Sequence, residues 1–249
     1  MFKKHISIII PMNNGIKCLT AKYDNKNITS IGEIKDINSL EKLKILNLNC
    51  RHVILIPAEK LYLSSHILKK EGYDDLKVAE KSFYEKYNKS NIDLINDYYY
   101  DSIHFADPEN KNNLNLKLLA AEKEYIDSLT KNLDKYPNNY IVTALPAALY
   151  SLSQKFINHD NYIFYYKVGS YYTITADYKN TLDSIHSQIK ENHIEREIKT
   201  SKKYYLNRKN TDMAVIEGDP DLFNLEKLKN INKNEFIFLA SLLWGVSEW

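Results

Sequence analysis

Few side chains in this 249-residue chain stand at spacings that support a known catalytic chemistry. The sequence contains no Walker A loop and no GxSxG, HExxH or CxxC motif, which are common signatures of nucleotide binding, serine hydrolysis, zinc hydrolysis and thiol redox chemistry. His186 and His193 are seven residues apart and are predicted to share one helix face. No acidic or thiol partner stands at ligand spacing, so a solvated helix face is favoured over a metal site.

A second polar group includes Asp101, His104 and Asp107, near a cluster of tyrosines. These side chains could form a polar site, but the ordinary polarity of a loop is the simpler explanation and is favoured.

The segment Arg196–Lys209 interleaves basic residues with Tyr204 and Tyr205, and it is the strongest nucleic-acid candidate in the chain. The alternative is a solvated helix whose two tyrosines pack inward. A net charge of only +2 favours that alternative.

Three consecutive tyrosines, Tyr98, Tyr99 and Tyr100, lie in a segment that is predicted to be extended. Side chains alternate between the two faces of a strand, so the core cannot hold all three rings and at least one is expected on the surface. An exposed tyrosine beside a groove suits peptide binding, because it supplies contact area with little side-chain entropy to lose.

Two β-hairpins are the main structural prediction. Near the start, the apolar run Ile6–Ile10 meets the turn Met12-Asn13-Asn14-Gly15, and a second strand-like run, Ile16–Tyr23, follows. Later, the turn Val168-Gly169-Ser170 separates Ile163–Lys167 from Tyr171–Ala176. Two similar hairpins in one chain predict two related halves.

Between and after the hairpins, strand and helix patterns alternate, which is typical of an α/β fold. The strands are predicted at Asn27–Ile34, Val53–Ile56, Leu61–Leu68, Ile92–Ile103, Leu114–Leu119, Tyr140–Ala144 and Met213–Ile216. The helices are predicted at Asn38–Leu48, Asp74–Tyr87, Glu122–Leu133, Pro146–Phe156 and Leu222–Leu228, with Leu182–Lys209 mainly helical. The chain ends on an apolar segment, Phe236–Trp244.

The composition is that of a globular protein, with 44% hydrophobic and 27% charged residues and no strong net field. Cys18 and Cys50 are expected to be reduced and buried. The apolar run after the basic N-terminus is only five residues long, and no stretch approaches the ~20 apolar residues of a membrane span. The expectation is a soluble, cytoplasmic protein.

The order of these segments resembles the actin-like proteins of the PilM family, which serve type IV pilus assembly, and the cytoplasmic domain of GspL from type II secretion. The most persuasive stretch is Leu114–Leu152, which is similar to the family's strand, Ala-Ala-x-Glu corner, long helix, strand and Pro/Ala-rich helix. Arg51–Leu68 resembles the strand–Pro–strand segment that leads into a small inserted subdomain. Val215–Leu228 resembles the turn and helix that contact adenosine, and the last residues resemble the closing helix.

The resemblance implies an actin-like (ribonuclease H-like) α/β fold. Residues 1–158 are expected to form a first half with a small subdomain inserted at about 58–112, and residues 159–249 a reduced second half. It also implies degenerate nucleotide loops at Asn13 and Asn14, at Gly169 and at Gly218.

The sequence departs from an actin-like ATPase at all three loops. Asn13 and Asn14 stand where the first loop should carry Asp and glycines, Lys167-Val168-Gly169 replaces Asp-x-Gly, and Gly218 lacks its paired glycine. Without an acid to hold Mg²⁺, the phosphate charge is not neutralised. A non-hydrolysing relative without a cofactor is therefore expected. The alternative is an active ATPase or kinase relative with divergent loops, which would bind ATP.

The resemblance further implies a scaffold at the inner face of a pilus or secretion machine. PilM binds the cytoplasmic tail of PilN, a single-span inner-membrane protein, in a cleft beside the inserted subdomain. Carried onto this chain, the site falls near Tyr62, Tyr98, Tyr99 and Tyr100. Other pilus assembly proteins are expected as partners, nucleic acid is not, and contact with the membrane is expected only through the partner. A binding module unrelated to pili is a third interpretation.

Overall fold

The computed structural model describes residues 4–12, 15–37, 50–69, 77, 81, 94–106, 110, 112–131, 133, 139–223 and 235–248. The predicted helix at 38–48, nearly all of that at 74–87, most of 222–228, and both Asn13 and Asn14 lie outside these residues. The chain forms two compact units. We call Met1–Glu59 with Asn132–Trp249 the main unit, and Lys60–Lys131 the inserted unit.

The strands in chain order are β1 (Lys4–Met12), β2 (Gly15–Asp24), β3 (Asn27–Ile31), β4 (Lys35–Ile37), β5 (Cys50–Ile56), β6 (Tyr62–Lys69), β7 (Tyr98–Ala106), β8 (Asn113–Glu122), β9 (Tyr140–Ala144), β10 (Asn161–Val168), β11 (Tyr171–Tyr178), β12 (Leu182–Lys190) and β13 (Ala214–Glu217). The helices are α1 (Leu94–Asp97), α2 (Lys123–Thr130), α3 (Leu145–Phe156), α4 (Ile194–Lys209) and α5 (Phe236–Glu248), with 3₁₀ turns at Ala58–Lys60, Glu191–His193 and Pro220–Phe223.

The first sheet of the main unit has the strand order β3-β2-β1-β5-β9, and β4 also pairs with β2. Strands β1 and β2 form the predicted antiparallel hairpin, with Met12 opposite Gly15 across the turn. Strands β5 and β9 then add in parallel. The long apolar run of β1 is consistent with a central strand that is buried on both faces.

The second sheet repeats this arrangement with the order β12-β11-β10-β13. Strands β10 and β11 form the second hairpin, with Val168 opposite Tyr171, and β13 pairs with β10 in parallel. Both predicted hairpins are therefore confirmed, and each sheet adds a parallel strand to its hairpin. Among the described residues, the second sheet has no counterpart of β9.

The prediction that Leu182–Lys209 is mainly helical is wrong for its first third, which is strand β12. The strand pairs with β11 through an irregular register between Tyr172 and Ile174, and Gln188 has a φ of 59°. Such an irregularity interrupts the period-two alternation by which a strand is normally predicted.

The core of the main unit lies against one face of each sheet and is closed by α3 and α5. From β1 it takes Ile6, Ile8 and Ile10, each fully buried, because alternate strand residues point to the same face. Helix α5 comes close to this sheet, since a β-carbon on Gly245 would lie 3.0 Å from Val53 Cγ2. Burying an Ile, Leu or Phe side chain contributes about 1.5–3 kcal/mol, so this cluster dominates the stability of the unit.

Helix α4 packs on the second sheet through a separate cluster that includes Ile163, Ile174 and Tyr205. Tyr205 is the helix's buried anchor, and its hydroxyl donates to Asp183 Oδ2 at 2.6 Å. The helix ends at Asn210, which is left-handed with a φ of 48°, a conformation that asparagine tolerates better than most residues.

The inserted unit contains the three-stranded antiparallel sheet β6-β8-β7 and helix α2. Strand β8 is central, and its residues Leu116, Leu118 and Ala120 are almost fully buried. In the described residues, β6 and β7 are both edge strands.

Cys18 and Cys50 are free and buried, as predicted. Burial raises the pKa of the Cys18 thiol to about 12 and that of Cys50 to about 11, so both stay protonated and are poor nucleophiles at neutral pH. None of the described helices is long and apolar enough to cross a membrane.

Candidate functional site

The first candidate site is the pair of hairpin turns in the main unit. Gly169, in the second turn, has a φ of +60°, and a β-carbon there would lie 3.9 Å from Met12 Sδ at the end of β1. The second turn therefore lies beside the end of the first hairpin. Asn13 and Asn14 themselves are outside the described residues.

Two lysines close to these turns in sequence are ion-paired. Lys17 Nζ lies 3.4 Å from Asp36 Oδ1, and Lys167 Nζ lies 3.4 Å from Glu191 Oε2. Within the described residues, no group of three or more His, Cys, Asp or Glu side chains could hold a metal ion. The second turn thus offers a glycine in the left-handed conformation, but the described residues add no cluster of metal-binding side chains.

Gly218, the third predicted loop residue, follows β13 and is tightly packed. Its backbone N–H donates to the Tyr165 carbonyl at 2.7 Å. A β-carbon there would lie 2.6 Å from Phe236 Cε1 and 2.8 Å from Tyr166 Cβ. Close packing against these side chains is a sufficient reason for glycine at this position, and its contact with adenosine stays a prediction.

Replacing Gly169 with valine is expected to destabilise the protein by about 1–2 kcal/mol, because a β-branched residue resists the left-handed conformation. An added β-carbon would make only an ordinary contact, 3.9 Å from Met12 Sδ, so the cost comes from the backbone. Denaturant titration measures it. Gly169→Asn is the matched control and should cost much less, since asparagine tolerates positive φ. Equal stability of the valine and asparagine variants would contradict the assignment of this turn.

The second candidate site is the tyrosine group of the inserted unit. Tyr62 and Tyr100 both stand opposite Ala120, so they flank the central strand in one cross-strand row. The rings of Tyr62 and Tyr98 meet edge to face with centroids 5.4 Å apart. The Tyr62 hydroxyl donates to Glu122 Oε1 at 2.6 Å, and this bond raises the pKa of Tyr62 well above its ordinary value.

Tyr99 is held on the opposite face of β7 by helix α2. Its hydroxyl donates to Asp127 Oδ1 at 2.9 Å, and Lys123 Nζ lies 5.5 Å from its ring centroid. Tyr99 is 47% exposed and Tyr100 is 40% exposed, whereas Tyr98 is buried. The prediction that at least one of the three rings lies outside the core is confirmed, and two of them do.

The residues that sequence reasoning missed are those that fix these tyrosines, namely Glu122, Lys123 and Asp127. The sequence did indicate that two of them act together. Lys123 and Asp127 are four residues apart and must share a face of any helix that starts after Glu122. What the sequence did not reveal was that this face meets β7.

The sequence offered two polar groups that contain histidine, and the structure describes the side chains of only the first of them, His186 and His193. His186 lies on β12 and His193 lies in the 3₁₀ turn before α4, so they do not share a helix face and the prediction that they do is wrong. The side chains of Asp101, His104 and Asp107 lie outside the described part of the chain.

The segment Arg196–Lys209 is helical, as expected for a solvated helix, and coincides with most of α4. Its two tyrosines separate: Tyr205 is buried, whereas Tyr204 is 51% exposed. The expectation of an inward-packed pair is thus correct for Tyr205 alone.

No protein-family profile matches the sequence, and a search of curated proteins finds no relative. Solved structures do resemble the fold. The PilM–PilN type IV pilus biogenesis complex aligns with a TM-score of 0.65 at 10% identity, over 97% of this chain and 98% of the other. The cytoplasmic domain of EpsL, an inner-membrane component of the Vibrio cholerae type II secretion system, aligns with a TM-score of 0.59 at 8% identity, over 93% of this chain and 98% of the other.

A protein of unknown function with an actin-like ATPase fold, from Bacteroides thetaiotaomicron, aligns with a TM-score of 0.52 at 12% identity. The match covers 95% of this chain and 89% of that protein. Identities this low establish the architecture and not the activity. Together with the repeated sheet arrangement, they show that this chain has an actin-like fold.

Proposed function

We propose that this chain is a non-hydrolysing scaffold of a type IV pilus or related secretion machine, and that it binds the cytoplasmic tail of a PilN-like inner-membrane protein. The observation that carries the proposal is the exposure of Tyr99 and Tyr100 on β7, which is an edge strand among the described residues. The likeness in fold to the PilM–PilN complex and to the EpsL domain supports it.

Strand β7 suits an extended peptide. An edge strand carries backbone groups that can pair with an added strand, and pockets for alternate side chains then provide specificity. Tyr99 and Tyr100 stand on opposite faces of β7, so a peptide strand added to this edge could meet one ring on each face. Binding at this edge needs only residues of the inserted unit.

The Tyr99 ring is preorganised for such contact. Its hydrogen bond to Asp127 and the position of Lys123 over its ring restrict its rotamers before any partner arrives. Restricting a side chain in advance reduces the entropy that is lost on binding. Tyrosine anchors of this kind commonly dominate the binding energy of an interface.

Tyr99→Ala is expected to weaken binding of a synthetic tail about thirtyfold, because truncating an aromatic anchor typically costs about 2 kcal/mol. The assay is calorimetric titration with N-terminal tails of candidate inner-membrane pilus and secretion proteins. Tyr204→Ala is the matched control, since Tyr204 is exposed to a similar degree but lies on α4 in the main unit.

A further variant, Tyr99→Phe, separates the ring from its positioning bond to Asp127 and should weaken binding only a few-fold. If no tail binds, or if Tyr99→Ala and Tyr100→Ala both bind like the wild type, the assignment of the tail to β7 is wrong.

The alternative function is an active ATPase or kinase relative, and the observation that favours it is the position of the Gly169 turn beside Met12. We expect purified protein with Mg-ATP to release phosphate no faster than a buffer blank, because neither loop sequence supplies an acid for Mg²⁺. Turnover that disappears on changing Asn13 or Asn14 would establish the alternative.

A further inference from the structure

We propose that the exposed surface of α4 binds an anionic membrane surface directly. We define the α4 patch as Lys199, Lys203, Tyr204, Leu206 and Arg208, all of which are exposed. This contact goes beyond the scaffold function, because it needs no partner tail, and it is independent of the tyrosines on β7.

The charge of α4 is strongly segregated. From Lys199 to Lys209 the helix carries five basic residues and no acidic one, although the whole chain has a net charge of only +2. The acidic residues Glu195 and Glu197 are confined to the first turn, where Glu197 pairs with Arg196 at 3.1 Å. All charged residues in the last two-thirds of the helix are therefore basic.

Three of these cations remain available for a partner. Lys202 is paired with Asp212 at 3.3 Å, and Lys209 Nζ stands 5.4 Å from the centroid of the Tyr178 ring. In contrast, no ion pair involves Lys199, Lys203 or Arg208 in the part of the chain that the structure describes. These three form the charged component of the patch.

The patch also exposes apolar surface. Leu206 is 55% exposed and Tyr204 is 51% exposed, while the packing of α4 on its sheet is provided by Tyr205 at 2%. Lys199, Lys203 and Leu206 follow the three- and four-residue spacing of one helix face, and Tyr204 and Arg208 follow the four-residue spacing of a neighbouring face. A leucine beside two lysines is suited to the boundary between lipid headgroups and acyl chains.

The exposed Leu206 favours a lipid surface over nucleic acid as the ligand of the α4 patch. Single-stranded nucleic acid is bound by aromatic rings that stack on bases and by cations that follow phosphates. Leu206 can do neither, whereas insertion into the acyl boundary removes its side chain from water. The combination on α4 therefore fits an anionic lipid surface.

The test uses the full chain without any partner. Sedimentation with vesicles of phosphatidylcholine alone is compared with vesicles that also contain phosphatidylglycerol, at low and at high salt. We expect binding only to the anionic vesicles, with strong weakening at high salt because the charges are exposed. Replacing Lys199, Lys203 and Arg208 together by Gln should weaken binding about 100-fold, from about fivefold per cation.

The matched control replaces Lys22, Lys35 and Lys155 by Gln, which removes the same charge from exposed positions outside α4. It should retain most of the binding, and Leu206→Gln should weaken binding about tenfold or more. The proposal is overturned if the wild type ignores phosphatidylglycerol, if both triple variants lose binding equally, or if poly(U) RNA binds while vesicles do not. None of these outcomes affects binding of the tail at β7.

Discussion

Replacing Gly218 with alanine is expected to destabilise the main unit by about 2–3 kcal/mol, as overpacking a well-filled core does. The added carbon would lie 2.6 Å from Phe236 Cε1 and 2.8 Å from Tyr166 Cβ. Both neighbours are almost fully buried, and Tyr166 Cβ is fixed by the backbone of β10. The strain therefore cannot be relieved by rotating a flexible side-chain end.

Denaturant titration of Gly218→Ala measures this cost. Val215→Ala is the matched control, because Val215 lies on β13, which Gly218 directly follows, and is 41% exposed, so its effect should stay within about 0.5 kcal/mol. If Gly218→Ala unfolds like the wild type, packing does not explain the glycine, and close approach of a nucleotide becomes the better explanation.

The hairpins and their repetition could be predicted because the information for both is local. Turn residues such as Gly169 and the alternating runs on either side specify a hairpin with few other solutions. The start of α3 was predictable for the same reason, since Pro146 is favoured only in the first turn of a helix. Strand β13 also lies close to its predicted position, and helix α5 lies where the family resemblance implied a closing helix.

Strand β12 could not be predicted in this way, because its polar sequence and irregular register remove the period-two pattern. The surroundings of Tyr99 were equally hidden, since they depend on α2 packing against β7, which is a contact between segments distant along the chain. The net charge of the whole chain was also a poor guide to the local charge of α4. The net charge of +2 favoured a solvated helix at Arg196–Lys209, although α4 carries five cations within eleven residues.

A buried carboxylate between α3 and the second hairpin was likewise invisible in the sequence. Asp177 is 1% exposed and accepts a hydrogen bond from Gln154, whose Nε2 also lies 2.9 Å from the Tyr162 hydroxyl. Within the described residues, no cation pairs with it. Burial raises the pKa of Asp177 to about 6, even though hydrogen bonds from Tyr162, Thr181 and Gln154 oppose the shift.

Because of this shift, the ionised Asp177 carboxylate destabilises the folded protein at neutral pH. The folded protein holds the proton of Asp177 more tightly than the unfolded chain, whose Asp has a pKa of about 3.9. The free energy of unfolding therefore falls as pH rises from about 4 to about 6, and stays at the lower level above that range. Two pKa units correspond to about 3 kcal/mol.

Asp177→Asn is therefore expected to be more stable than the wild type at pH 7.5 by about 2–3 kcal/mol, because the amide keeps an acceptor for Gln154 without the buried charge. The advantage should shrink by about 2 kcal/mol when both proteins are measured at pH 4.5, where Asp177 is already protonated in the folded state. Denaturant titrations at the two pH values measure it. Asp212→Asn, at a carboxylate that is 83% exposed, is the matched control. If Asp177→Asn is less stable than the wild type at both pH values, the ionised carboxylate is itself a structural requirement of the α3–β11 junction.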